Sequence, residues 1–327
     1  MSTALFRPFD RYDFSEQVCY LTGQPATEQT SVFPEWVLKQ FDLHEKPFKM
    51  LDEHIATYQD ITIPVSFEAL TAIRSLDNEI QEAFNSGYTA VKDLEEIKLF
   101  QWISKQVYGI IHWEVRAGMR QQRAIGEEFS FSQAIAHKFS NLHIMLQSLV
   151  QTVEFEGDSP WSIQVFPVKN DEDTFIYRDE INTLVFSLRM NDFGIIASLQ
   201  DNGESLNYQK DILKKVAHKQ LHPIQFEELC ARFFYSAYLF NRLPEYTIVA
   251  TEEATYIEAM PLRISSRPVY DIWQTKTYGQ VLENFWKPWG FLLLEIIKNP
   301  EMPMSFLEDS KGDFIPEEKI RLNSLLK

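Results

Sequence analysis

Gly157-Asp-Ser-Pro160 is followed by Ser162-Ile-Gln-Val-Phe-Pro-Val168, Thr174-Phe-Ile-Tyr177, Thr183-Leu-Val-Phe-Ser-Leu188 and Phe193-Gly-Ile-Ile-Ala-Ser-Leu199. β-Branched and aromatic residues dominate these runs, and Asn/Asp-rich turns separate them, as expected of short strands. Connections this short make neighbouring strands run antiparallel. Asp201-Asn202-Gly203 closes the set with a turn.

Before this stretch the periodicity is helical. Ser66 reads as an N-cap, followed by Ala69, Leu70, Ile73, Leu76, Ile80 and Phe84 at helical spacing and a stop at Asn85-Ser86-Gly87. From Thr89 to Gln122 the pattern predicts one long helix, or two with a bend near Gly109. Val91, Leu94, Ile97, Phe100, Ile103, Val107 and Ile111 form its buried stripe. A further helix is expected over Ser130–Val153, carried by Phe131, Ile135, Phe139, Leu142, Leu146 and Leu149. Beyond the strands, helices are expected at 204–219 and 223–240, and strand-like segments at Thr247–Ala250 and Ala254–Met260. A terminal helix over Tyr278–Lys298 is expected to bend at Pro288. The fold class is α+β: a helix-rich N-terminal half, then an antiparallel sheet with packed helices. Regions are expected at 1–65 (turn-rich, with five prolines), 66–155 (helical) and 156–327 (α+β), or as one continuous domain with a change of character near 155–160.

The chain has 327 residues, 45% of them hydrophobic, with 25 Phe, 13 Tyr and 7 Trp. Each buried aromatic hides roughly 150–250 Å², so a large core is assured and general disorder is excluded. A net charge of −16 opposes phosphate backbones at long range. Two cysteines, Cys19 and Cys230, form neither a disulfide framework nor a zinc site by themselves. The N-terminus lacks a secretory pattern, and no apolar run reaches the ~20 residues of a membrane span. The expectation is a soluble cytoplasmic protein.

The turn-rich region carries Cys19-Tyr-Leu-Thr22-Gly23 and, after a short spacer, Thr30-Ser31-Val32-Phe33-Pro34-Glu35-Trp36-Val37. This resembles HNH-endonuclease-like proteins, which begin with a Cys-x-x-Cys knuckle and continue through Glu-His-[hydrophobic]-Phe-Pro-x-Trp-Leu. Leu76–Tyr88 and Leu99–Gly109 are similar to the helices that follow the second knuckle in that family, so the resemblance covers roughly residues 15–125. It implies a ββα region near the N-terminus. The departures concern the chemistry: Thr22 stands where the second cysteine belongs, and Thr30 and Ser31 stand for Glu-His. The expected second pair falls on Ile63-Pro-Val-Ser-Phe-Glu-Ala-Leu70, which has neither Cys nor His. In the family the histidine is the general base and a divalent metal stabilises the phosphoryl transition state. Ser31 has no group that titrates near neutrality. The motif remnant Cys19, Thr22, Ser31, Phe33, Pro34 and Trp36 therefore implies the fold without the activity. Packing around Phe33 and Trp36 takes over from the metal.

Arg116, Arg120 and Arg123 lie at i, i+4, i+7 of the long helix and can clamp an anion, with Glu114, Glu127 and Glu128 as alternative ordinary partners. Lys210, Lys214, Lys215 and Lys219 form the most basic segment, for which Lys214 and Lys215 are the second anion-binding candidates. His218 and His222 are spaced for a metal on one helix face, beside Glu227 and Glu228. Pro223 opposes helical geometry at His222, so a helix end is the favoured reading. His137 and His143 suit neither a shared metal nor a relay, and His112 reads as a hydrogen-bonded core residue. Asp171-Glu-Asp173 and Arg178-Asp-Glu180 flank turns. Glu35 and Asp52 are acids without a partner, and no phosphate loop or nucleophile elbow is present. The sequence favours a non-catalytic binding protein without cofactor. A protein partner fits its charge better than nucleic acid, and self-association is open. The alternative is a divergent metal-dependent nuclease or another hydrolase.

Overall fold

A computed structural model describes residues 5–50, 55–130, 132–170, 174–262, 267–298 and 303–322. Phe131, Asp52 and Asp171-Glu-Asp173 lie outside the described residues. In chain order the first half contains α1 (Pro8–Arg11), β1 (Glu28–Ser31), α2 (Glu35–Gln40), β2 (Pro47–Lys49), β3 (Ile55–Thr57) and β4 (Thr62–Val65). Then come α3 (Phe67–Ser86), α4 (Tyr88–Lys92), α5 (Glu96–Ala124), α6 (Gln133–Leu146) and β5 (Val153–Glu156). The second half has β6 (Ser162–Pro167), β7 (Ile176–Glu180), β8 (Val185–Met190), β9 (Phe193–Ser198), α7 (Glu204–Tyr208), α8 (Lys210–Val216) and α9 (Pro223–Leu239). It closes with β10 (Tyr246–Ala250), β11 (Thr255–Ala259), α10 (Thr275–Trp286) and α11 (Leu293–Ile296). The class is α+β. Among the described residues no helix is long and apolar enough to cross a membrane.

The chain divides into two compact units: Met1–Ser86 with Asp93–Pro160 and Leu243–Met260, and Gly87–Lys92 with Trp161–Arg242 and Pro261–Lys327. Residues 243–260, which the sequence groups with 156–327, thus belong with the first unit. The reason is a long-range pairing: β11 runs parallel to β5, Ile257 opposite Phe155, and antiparallel to β10.

In the first unit α5 is the axis. Its middle turns, Leu99–His112, are buried without interruption, polar residues included. The helix expected from Thr89 is instead two, α4 and α5, parted at 93–95, and α5 passes Gly109 without interruption. A Cβ there would stand 2.8 Å from Val32 Cγ2, and the glycine serves close approach instead. β1 pairs antiparallel with β4, Thr30 opposite Ile63, with α2 and the β2–β3 hairpin inserted between them. Ser66 caps α3 by accepting the N–H of Ala69 (3.3 Å). α6 starts at its cap Ser132 and continues into a short 3₁₀ turn over Gln147–Leu149 rather than running to Val153.

In the second unit the antiparallel sheet has the order β6-β9-β8-β7. β8 and β9 are buried at every position, as central strands are when both faces are covered. α9 packs against both strands. Asp201 fixes the turn after β9: its carboxylate accepts Ser162 Oγ (2.7 Å) and the N–H of Ser205 (2.8 Å). The segment expected as one helix at 204–219 breaks at Gln209 into α7 and α8. The expected terminal helix ends earlier. Pro288 lies in a 3₁₀ turn, Gly290 turns left-handed (φ 72°), and α11 follows as a separate piece.

Gly194 on β9 lies under Phe226 of α9, and a Cβ there would meet the ring at 2.3 Å. Overpacking of this kind typically costs about 1–3 kcal/mol. Gly194→Ala is expected to lower the unfolding free energy by that amount in a denaturant titration. An unchanged midpoint would mean that the helix and sheet are not seated this closely.

Candidate functional site

The motif remnant folds as a tight turn. Val18 bridges Pro25, the N–H of Gly23 bonds the carbonyl of Cys19 (3.1 Å), and the N–H of Cys19 bonds that of Gln24 (2.7 Å). The turn docks on the start of α3, where the second cysteine pair is expected. The N–H of Tyr20 donates to the Pro64 carbonyl (2.9 Å), and Thr22 Oγ1 lies 3.4 Å from Ser66 Oγ. Cys19 is fully buried as a free thiol. Ser31, in the place of the general base, has a buried Oγ without a hydrogen-bond partner among the described residues. Pro34 precedes α2 directly. Phe33 is fully buried against Phe48 (5.5 Å) and Tyr58 (4.8 Å), and Trp36 meets Phe84 edge-on at 6.0 Å.

A histidine that the sequence set aside holds this turn in place. His143 of α6, fully buried, donates from Nε2 to the Tyr20 carbonyl (2.9 Å) and accepts at Nδ1 from Gln147 (3.3 Å). Gln147 also exchanges two 2.9 Å bonds with the backbone of Phe6. Both imidazole nitrogens are thus satisfied in the neutral form. Burial holds the pKa of His143 down to about 4, against the partial opposing effect of the Tyr20 and Phe6 backbone bonds. His112 packs among Phe14, Tyr20 and Tyr108 and is also pushed well down, first by burial and then by Arg116 and His143. Its Nδ1 has no hydrogen-bond partner among the described residues, so it is a core histidine of the expected kind only in part.

Arg116, Arg120 and Arg123 do share one cleft. It measures about 280 Å³, and its opposite wall is Tyr12–Glu16. An acid from outside the helix, Glu16, reaches two of them. Its Oε1 lies 3.3 Å from Arg120 Nη1 and 3.9 Å from Arg116 Nη1. Arg116 is only 6% exposed, and its Nη2 donates to the Thr62 carbonyl (2.8 Å). Its Nε and Nη1 have no hydrogen-bond acceptor among the described residues. Burial lowers its pKa, Glu16 raises it and Arg120 lowers it. A buried donor without a partner costs about 1–3 kcal/mol, and more when charged.

The remaining candidates belong to the second unit, where Lys215 lines a cleft of about 260 Å³ with Asp211, Arg232 and Glu308. Lys214 is exposed, while Lys215 pairs with Glu308. His218 sits in the left-handed region (φ 59°) after α8, and His222 caps α9, its Nδ1 accepting the N–H of Ile224 (3.2 Å). The two histidines therefore share no helix face. Glu227 and Glu228, noted beside them, are buried structural groups. Glu227 lies between Arg178 (2.5 Å) and Arg189 (3.7 Å). Glu228 accepts Ser305 Oγ (2.7 Å) and the N–H groups of Phe306 (2.7 Å) and Leu307 (3.2 Å). In the first unit Glu35, read as an acid without a partner, lies 3.3 Å from His44 Nε2 on the surface. No group of three or more His, Cys, Asp or Glu among the described residues could hold a metal ion.

The His143 shift has a definite sign. The unfolded chain takes up a proton near 6.5, whereas the folded chain resists until about 4. Stability is therefore lost as pH falls through that window, by about 3 kcal/mol at most from this one group. NMR titration is expected to show His143 neutral at pH 5, and His143→Gln is expected to flatten the acid limb of stability. A normal imidazole titration near 6.5 would contradict the bonding described. Comparison with protein-family models, curated proteins and solved structures finds no match to this chain.

Proposed function

We propose that this chain is a non-catalytic binding protein of the cytoplasm, and that its first unit is a metal-free derivative of an HNH-endonuclease-like fold. The Thr22–Ser66 contact carries the reading. In the resembling family, cysteine pairs from the first turn and from the start of the following helical region hold one zinc. Here two hydroxyls meet at 3.4 Å at the corresponding places. Backbone bonding from Tyr20 to Pro64, and from His143 to Tyr20, joins the same segments that zinc would clamp. The Phe33–Phe48–Tyr58 cluster adds apolar packing beside them. Ser31 supplies no base at neutral pH, so phosphodiester hydrolysis by the family's route lacks its proton acceptor. The charge of −16 favours a protein partner over nucleic acid.

Metal analysis of the purified protein, with thermal melting in the presence and absence of a strong chelator, tests the reading. Less than stoichiometric metal and an unchanged melt are expected, together with no cleavage of DNA in magnesium. One zinc per chain with a chelator-sensitive melt would overturn it, as would magnesium-dependent nuclease activity.

A further inference from the structure

We infer that the cleft between α5 and the Tyr12–Glu16 segment binds a small anion carrying a phosphoryl or carboxylate group, and that Glu16 occupies its cationic wall until the ligand displaces it. Three guanidiniums from successive turns of one helix converge on a cavity of about 280 Å³. That is at or just below the small end of ligand pockets and fits a compact anion rather than a nucleotide cofactor. Two carboxylates, Asp13 and Glu16, line it as well. The charge of the lining is therefore three positive against two negative, and of the two acids in the lining Glu16 pairs with Arg116 and Arg120.

Glu16 is a poor permanent partner. Its side chain is 61% exposed, and one oxygen is shared between two guanidiniums at 3.3 and 3.9 Å. Charge-assisted bonds to guanidinium ordinarily close to about 2.7–2.9 Å and are often bidentate. Arg116 is the second, independent observation. Its guanidinium is withdrawn from water, anchored at Nη2 on the Thr62 carbonyl, and leaves Nη1 and Nε without acceptors among the described residues. A tetrahedral or planar oxyanion inserted in place of the Glu16 carboxylate would satisfy Nη1 and bridge to Arg120. Planar guanidinium matches phosphate and carboxylate in this way.

The facing wall is fixed. Phe14 is buried against Phe9 (5.0 Å) and His112 (5.4 Å), and Tyr12 stacks edge-on with Phe129 (6.4 Å). The cleft therefore does not have to be assembled by the ligand. The acidity of the chain as a whole gives no long-range attraction for polyanions, so recognition rests on contact geometry and favours small molecules over nucleic acid.

The test uses the full chain at constant ionic strength. Isothermal calorimetry is run with inorganic phosphate and, separately, with citrate. The two arms distinguish a phosphoryl from a carboxylate ligand. Saturable binding of at least one is expected in the millimolar range or tighter. Arg120→Ala should weaken it about tenfold, the worth of one charge-assisted bond. Glu16→Gln should strengthen it severalfold by removing the internal competitor. Both positions are 61% exposed, so both variants should fold and melt like the parent. Absence of saturable binding in parent and Glu16→Gln alike would overturn the inference. So would binding that Arg120→Ala and Glu16→Gln leave unchanged.

Discussion

The burial of α5 sets the conditions for the rest of the first unit. A 29-residue helix buried through its middle carries polar groups inward, and the partners that some of them find tie other segments to it. Lys105 is 2% exposed and reaches Asp77 of α3 at 2.6 Å, which ties the two longest helices of the unit together. Arg116, three turns on, needs the Thr62 carbonyl and so fixes the end of β4. Gly109 has no side chain, and that absence lets Val32 and the Phe33-Pro34 turn approach the helix. Tyr108 and His112 bring in Tyr20, and with it the N-terminal turn. The segments that resemble a metal-binding motif are thus packed against this helix.

Such an arrangement is demanding in a way that a zinc site is not. Structural zinc supplies four strong bonds at one point and tolerates poor packing around it. In this chain the same segments are joined by several weaker contacts, each needing its geometry: Thr22 with Ser66, Tyr20 with Pro64, and His143 with Tyr20. The imidazole fits because it can donate and accept at once in its neutral form, linking the turn to Gln147 and through it to Phe6. A lysine or arginine could not accept, and a serine would not reach both groups.

The helices were legible from the sequence because apolar spacing reports a single buried face directly. The α3 cap at Ser66 and the strands of the antiparallel sheet over 162–199 were legible for the same local reason, although β6 pairs with β9 and not with β7, its neighbour in sequence. What the sequence did not show is mostly non-local. β1 at Glu28–Ser31 pairs with a strand about thirty residues away, and β5 at Val153–Glu156 takes a parallel partner about a hundred residues on. Neither stretch is apolar enough to declare itself a strand. The acid facing the arginines was missed because helical spacing points to i±4 neighbours, while Glu16 comes from a separate segment. Glu227 and Glu228 were read only as neighbours of the His218–His222 pair because carboxylates are rarely buried, and nothing local announces Arg178, Arg189 or Ser305.

Two glutamates that each meet two arginines show why burial separates structure from function. Glu227 is fully buried between Arg178 and Arg189. Burial pushes its pKa up, and the guanidiniums oppose that rise without cancelling it. Taking it away would remove a counter-charge from two guanidiniums, one of them buried where hydration cannot replace it. Glu16 meets Arg120 and Arg116 at the longer distances of 3.3 and 3.9 Å and stands mostly in water, where an ion pair is worth at most about 1 kcal/mol. Its carboxylate can leave and be hydrated at little cost, while Arg116 behind it still lacks acceptors at Nη1 and Nε among the described residues. The same pairing is therefore a fixed strut in one unit and a replaceable occupant in the other. The difference lies in what water can reach once the carboxylate moves.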